Sequence, residues 1–123
     1  MTETNNIKRK QYDLEDRTLK FAKDCRNFIK SIKRSIANIE DSKQLVRSSG
    51  SVGANYIEAN EALSKKDFLM RIKICRKEVK ESRYWLLLIN NESNAEFETN
   101  GDELIQEATE LMNIFGAIII KSR

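Results

Sequence analysis

The segment from Gln44 to Leu88 constrains the fold most, because its apolar residues recur every three or four positions on both sides of one clear helix start. Such spacing predicts helices that bury one stripe of side chains. Ser64, followed three residues later by Asp67, is typical of a helix N-terminus. The segment therefore predicts two long helices joined by a short connection.

The same period continues through most of the 123-residue chain, which contains no proline and only four glycines. Sandwiches and barrels need many turn residues, so this composition favours helices with few connections. We predict an all-α, antiparallel up-down-up-down four-helix bundle that forms a single domain over residues 1–123, with residues 1–12 flexible. The predicted helices span about 14–39, 41–62, 65–90 and 101–121, with an acidic loop at 91–100.

A run of small residues from Ser48 to Ala54 lies inside the second predicted helix and includes Gly50 and Gly53. Each glycine costs a helix about 1 kcal/mol relative to alanine. Close packing of another helix backbone against the run would explain that cost, and a flexible loop is the alternative. Because the apolar period continues through the run without a break, we expect a helix.

Charge is unevenly distributed, although the net charge is only +3. Residues 8–34 carry ten Lys/Arg against four Asp/Glu, residues 65–83 carry eight against three, and residues 92–110 carry seven acids and no base. Clustered lysines and arginines are the main electrostatic requirement for contact with phosphates. Basic faces that are merely solvated, as on a protein–protein scaffold, are the alternative.

The candidate nucleic-acid-binding residues are cations at helical spacing on the first and third predicted helices. They are Lys20, Lys23, Arg26, Lys30, Arg34, Lys73, Lys77 and Lys80. Aromatic residues are expected to be scarce on these faces, so we predict phosphate contacts rather than base readout.

The end of the third predicted helix is apolar on all sides, and one apolar residue lies on the otherwise basic face of the first. Apolar surface of that extent on a monomer would favour aggregation. We therefore predict a homo-oligomer, although cover by the following loop is an alternative for the third helix. The predicted interface residues are Leu19, Tyr84, Trp85, Leu87 and Leu88.

Four polar residues among apolar neighbours are predicted to be structural: Asn55, Glu58, Glu78 and Glu81. We expect Asn55 to form buried hydrogen bonds that fix the helix register. The glutamates are expected to form ion pairs, and a metal-binding carboxylate cluster is the alternative. The cations available to them are Arg47, Arg71, Lys77 and Arg83.

No catalytic arrangement is recognisable in the sequence, which contains no histidine. This absence removes the Ser-His and Cys-His pairs that activate nucleophiles. Cys25 and Cys75 are too few for a structural zinc site and fit the core of a reduced protein, with a disulfide as the alternative. We predict a non-enzyme with no cofactor, no metal and no small-molecule substrate.

No apolar run reaches the length of a membrane span, about 18 residues or more. The N-terminus lacks the apolar stretch of a signal peptide. We predict a cytoplasmic protein with no membrane partner.

Several short motifs on the second and third predicted helices are recognisable together. They are Gln44-Leu45, Ser49 to Asn55, Glu58-Ala59, Ser64 to Phe68, Lys77-Glu78, Glu81 and Tyr84 to Leu86. With them the chain resembles the four-helix bundle family of the 23S rRNA intervening-sequence proteins, in which many members carry glycine where Ala59 stands here.

This resemblance implies a small bacterial bundle that assembles into a ring-like homopentamer and has no catalytic residues. The family is similar to accessory proteins of diversity-generating retroelements, which are basic pentamers that associate with nucleic acid and reverse transcriptase. We therefore predict a non-enzymatic homopentamer that binds nucleic acid, with RNA expected before DNA. A protein–protein scaffold or accessory subunit that binds no nucleic acid is the alternative.

Overall fold

Four helices make up almost all of the computed structural model, which describes residues 2–89 and 95–123 and the side chains of residues 13–89 and 100–123. The helices are α1 (Thr2–Lys30), α2 (Ile36–Asn60), α3 (Lys65–Ile89) and α4 (Ala95–Lys121). Each helix packs against the next, and α1 also contacts α4, so the four close into a bundle. The predicted all-α four-helix bundle is confirmed.

Hydrogen bonds between α2 and α3 show that these two helices are antiparallel. Near one end of the pair, the Arg71 guanidinium donates to the Asn55 side-chain oxygen at 3.0 Å. Towards the other end, the Ser82 hydroxyl donates to the Ser48 hydroxyl oxygen at 2.8 Å. Residue numbers therefore increase in opposite directions along α2 and α3. The short connection between the two helices requires the same antiparallel arrangement.

One apolar stripe from each helix forms the core. The largest fully buried apolar side chains include Phe21, Leu45, Ile72, Leu86, Leu111 and Phe115. The two cysteines are also core residues, because Cys25 and Cys75 are free and completely buried. Burial raises the pKa of each thiol to about 12. Such thiols stay protonated at neutral pH and are poor nucleophiles.

The connection between α1 and α2 lies where the sequence predicted an uninterrupted helix as far as Ile39. Ser35 is the N-cap of α2: its backbone is extended (φ −149°, ψ 163°), and its hydroxyl accepts a hydrogen bond from the Asn38 backbone N–H at 3.1 Å. The Asn38 side chain in turn donates to the Lys33 carbonyl oxygen at 2.9 Å. Ile36, which the apolar period placed in the buried stripe, is 87% exposed. The predicted boundary is therefore wrong.

Other predicted boundaries are partly correct. The Asp67 backbone N–H donates to the Ser64 hydroxyl at 3.0 Å, so the predicted N-terminus of α3 is confirmed. Helices α1 and α4 begin earlier than predicted, at Thr2 and Ala95. The predicted loop at 91–100 is thus wrong for residues 95–100, and its remaining residues lie outside the described part of the chain. Flexibility of residues 1–12 stays a prediction.

The small-residue run lies wholly within α2, so the loop alternative is excluded. A Cβ atom added at Gly53 would lie 2.9 Å from Oγ1 and 3.3 Å from Cβ of Thr18 on α1. Thr18 is itself buried, and its hydroxyl donates to the Glu15 carbonyl oxygen at 3.0 Å. Gly53 therefore allows α1 and α2 to approach more closely than any residue with a side chain would permit.

Candidate nucleic-acid interface

The outer face of α3 carries a row of exposed lysines, which we call the α3 lysine row: Lys66, Lys73, Lys77 and Lys80. The core residues of this helix lie on its opposite side, so the row points away from the bundle. With a rise of 1.5 Å per residue, the Cα atoms of the last three lysines are distributed over about 10 Å of helix. None of the four forms an ion pair with a described residue.

Four acidic residues of α3 and α4 face arginines on neighbouring helices rather than the lysine row. Glu78 and Glu81 lie on the side of α3 that faces α2, where Nη2 of Arg47 is 3.4 Å and 3.5 Å from their carboxylates. On α4, Glu107 and Glu110 face α1 and lie 2.7 Å and 3.0 Å from Nη2 of Arg17. The lysine row therefore retains a positive field that these carboxylates do not directly neutralise.

The candidate cations on α1 have a different environment. Lys20 lies 2.6 Å from the Asp24 carboxylate, and this hydrogen bond is the main cause of the raised pKa of Lys20. The Arg26 guanidinium donates to two backbone carbonyl oxygens, those of Ala22 at 3.2 Å and Val46 at 3.5 Å. Two of the predicted cations are thus already engaged within the protein.

The other α1 candidates do not complete a row. Lys23 and Lys30 are exposed and form no ion pair with a described residue. Arg34 was predicted on the first helix, but it lies in the connection between α1 and α2, and that placement is wrong. Since α1 packs against α2 and α4 but not against α3, the two basic faces lie on diagonally opposite sides of the bundle.

The predicted interface residues fall into two separate places. Leu19 is 53% exposed and lines a groove of about 570 Å³ between α1 and α2. Tyr84, Leu87 and Leu88 are exposed on the outer face of α3. Trp85 is half-buried and packs against the core, and its indole N–H is buried without a described hydrogen-bond partner. These residues therefore do not form one continuous patch within a single copy.

Sequence reasoning missed that Tyr84 continues the α3 lysine row. Its position four residues after Lys80 and seven after Lys77 places all three on one side of the helix. The spacing of four, three and four residues between Lys73, Lys77, Lys80 and Tyr84 could have indicated this shared face. Tyr84 is therefore an exposed aromatic residue at the end of a basic face on which the sequence predicted few.

Comparison with known proteins places the chain among relatives with the same fold. The model of the family described as 23S rRNA-intervening sequence protein matches residues 10–117. The chain belongs to this family. It is also similar to a crystal structure at 1.70 Å resolution from Bacteroides thetaiotaomicron VPI-5482, described as a protein with unknown function from the S23 ribosomal protein family. The two share 34% identity with a TM-score of 0.71, over 85% of this chain and 96% of the other.

A comparison with curated proteins gives no match. The resemblance predicted from the sequence is confirmed as membership of the 23S rRNA-intervening sequence protein family. The similar crystal structure is itself described as a protein with unknown function.

In this member of the 23S rRNA-intervening sequence protein family, the predicted structural polar residues mostly hold α2 to α3. Asn55 is half-buried; it accepts from Arg71 and donates to the Ser51 carbonyl oxygen at 2.9 Å. Glu78 is buried beside Arg47, whereas Glu58 is exposed and forms no ion pair with a described residue. Within the described residues, no group of three or more His, Cys, Asp or Glu side chains could hold a metal ion.

None of the described helices combines the length and the apolar character that crossing a bilayer demands.

Proposed function

We propose that the protein is a cytoplasmic, non-enzymatic bundle that binds nucleic acid, RNA in the first place, through the outer face of α3. The observation that carries this proposal is the α3 lysine row, in which four exposed cations have no ion-pair partner among the described residues. Unpaired lysines can bind phosphates without first breaking an internal salt bridge. Their binding releases counterions from the nucleic acid, which supplies the free energy of sequence-independent association.

The α1 face takes a secondary part in this proposal. Lys20 and Arg26 would each have to give up an internal partner before they could bind a phosphate. Acids of α4 also lie near α1: Glu103 and Glu107 line the same cleft of about 660 Å³ as Lys20. Lys23 and Lys30 are the α1 residues that could extend a binding path around the bundle.

The direct test is a fluorescence anisotropy titration with labelled single-stranded RNA, single-stranded DNA and duplex at 50 and 200 mM salt. If three lysines of the row each bind one phosphate of a single strand, affinity should fall by about 20-fold over this fourfold rise in salt. Affinity should depend little on sequence, because phosphates carry no base information. Absence of binding at 50 mM salt by a correctly folded protein would favour the scaffold function instead.

We also propose that the protein is a homo-oligomer, with the predicted pentamer as the expected form. Exposed apolar residues on two different sides of the bundle support this, because a closed ring needs two different surfaces on each copy. Leu19 and Ile57 on one side are 53% and 48% exposed, and Leu87 on the other is 42% exposed.

Multi-angle light scattering should give about five times the 14.3 kDa chain mass at micromolar concentration. Leu19→Glu should lower that mass, because it places a charge in an apolar contact. Lys43→Glu changes the charge of an exposed residue on α2 and serves as the control. A monomer mass for the wild-type protein would contradict the proposed assembly.

A further inference from the structure

We propose that Tyr84 forms a base-stacking site at the end of the α3 lysine row, so that the ligand is a single strand rather than a duplex. This inference rests on the proposed nucleic-acid binding and specifies its ligand class. Tyr84 is 56% exposed, although tyrosine side chains are commonly at least partly buried. One helical turn, about 6 Å along the axis, separates it from Lys80.

The Tyr84 ring is held in place from one side. Trp85 contacts it edge-to-face, with ring centroids 5.1 Å apart and an angle of 74° between the planes. Trp85 is itself anchored, because it packs against the core. A ring held in this way loses less conformational entropy when a ligand stacks on it, which is the advantage of a preorganised site.

The surroundings of Tyr84 suit a nucleotide with an unpaired base. Lys80 and Lys77 lie one and two turns before Tyr84 on the same face of α3 and supply ammonium groups for the phosphates on that side of the ring. Glu81, the nearest acid in the chain, is turned towards Arg47. Charge on one side and an aromatic platform beside it is the combination by which proteins bind single strands without sequence preference.

A duplex cannot use this platform, because its bases are stacked on one another inside the helix. Single-stranded loops and ends expose the flat face of each base, and aromatic side chains stack on that face in most single-strand-binding proteins. The lysine row alone would accept either form of nucleic acid. Tyr84 is therefore the residue that should discriminate between them.

The single tryptophan of the chain provides a local reporter for the test. Trp85 fluorescence should change when a base stacks on the neighbouring Tyr84 ring. The probes are a 12-nucleotide single-stranded oligo(A) RNA, a duplex of the same length, and an abasic 12-mer that keeps the phosphates. We expect a change with the oligo(A) strand and little change with the duplex or the abasic strand.

Two variants of the whole protein separate stacking from other roles. Tyr84→Ala should weaken oligo(A) binding by about 5- to 150-fold, the range for losing one stacked base, and leave binding of the abasic strand unchanged. Tyr84→Phe keeps the ring and should bind as the wild type does. Light scattering should give the same particle mass for both variants.

The outcomes that overturn the inference differ from those that overturn the proposed function. Equal affinity of Tyr84→Ala and wild type for oligo(A) would exclude stacking while nucleic-acid binding stands. A loss in Tyr84→Phe equal to that in Tyr84→Ala would assign the effect to the hydroxyl rather than the ring. A smaller particle for Tyr84→Ala would make Tyr84 an interface residue. Failure of the wild type to bind any of the three probes would overturn the proposed function itself.

Discussion

Replacing Gly53 with leucine should lower the free energy of unfolding by about 1–3 kcal/mol, because the new side chain overpacks the contact between α1 and α2. Even a single Cβ at this position would lie 2.9 Å from Oγ1 of Thr18. Thr18 cannot easily move away, because it is 1% exposed and its hydroxyl is bonded to the Glu15 carbonyl oxygen. Urea unfolding followed by circular dichroism measures the change.

The matched control is a pair of alanine substitutions three residues apart on the same helix. A Cβ at Gly50 would meet only the flexible end of Arg26, whose Nη2 atom is 3.3 Å away. Gly50→Ala should therefore be neutral or stabilise the protein by up to about 1 kcal/mol, since alanine favours helices over glycine. Gly53→Ala should be less stable than Gly50→Ala. Equal effects of the two substitutions would contradict the close approach of α1 at Gly53.

Reversing the charge of Lys73 and Lys77 together should weaken RNA binding by about tenfold or more at 50 mM salt, for all sequences alike. Both residues are exposed and lack a described ion-pair partner, so the substitution removes phosphate contacts and adds repulsion. Losing two contacts should also reduce the slope of log affinity against log salt by about 1.4 for a single strand. Anisotropy titrations of Lys73→Glu/Lys77→Glu at several salt concentrations measure both quantities.

The matched control reverses the same total charge on α1. Lys23→Glu/Lys30→Glu should weaken binding less, because the α1 face carries neighbouring acids and lies diagonally opposite α3. Circular dichroism should give the same helix content for both variants as for the wild type, since all four side chains are exposed. An equal loss in the two variants would mean that net charge, rather than the α3 face, determines binding.

The sequence predicted the bundle well where apolar period and cap chemistry agreed. At Ser64 and Asp67 both signals are present, and the start of α3 was placed correctly. Near Ser35 they disagreed: Ile32, Ile36 and Ile39 continued the apolar period across a true helix break. The hydrogen bonds of Ser35 and Asn38 end one helix and begin the next at this point. Because the apolar period does not reveal them, the sequence placed Ile36 in the core, although it is exposed.

The candidate site could be predicted only in part, because a helical period identifies neighbours on one helix but not on others. The spacing of Lys73, Lys77 and Lys80 was enough to place these residues on one face. It could not show that Arg26 donates to the Val46 carbonyl of α2, which depends on the packing of two helices. It also could not place the acids of α4 beside α1, where Glu107 binds Arg17.

The sequence also could not show that the predicted interface residues lie on two separate surfaces, because this depends on how the helices pack together. In the sequence, Leu19 and Leu88 are both apolar residues that lie outside the buried stripe of their own helix. Only the three-dimensional arrangement places Leu19 in a groove with α2 and Leu88 on the outer face of α3.

Photocrosslinking with a single-stranded RNA that carries 4-thiouridine, followed by mass spectrometry of the peptides, tests most directly whether the outer face of α3 binds nucleic acid. The proposed binding mode predicts that crosslinked peptides come mainly from residues 66–84 and that Tyr84 is among the modified residues. The crosslinks should diminish as salt rises, since lysine–phosphate contacts position the strand. Crosslinks confined to α1, or none in an intact and folded protein, would contradict it.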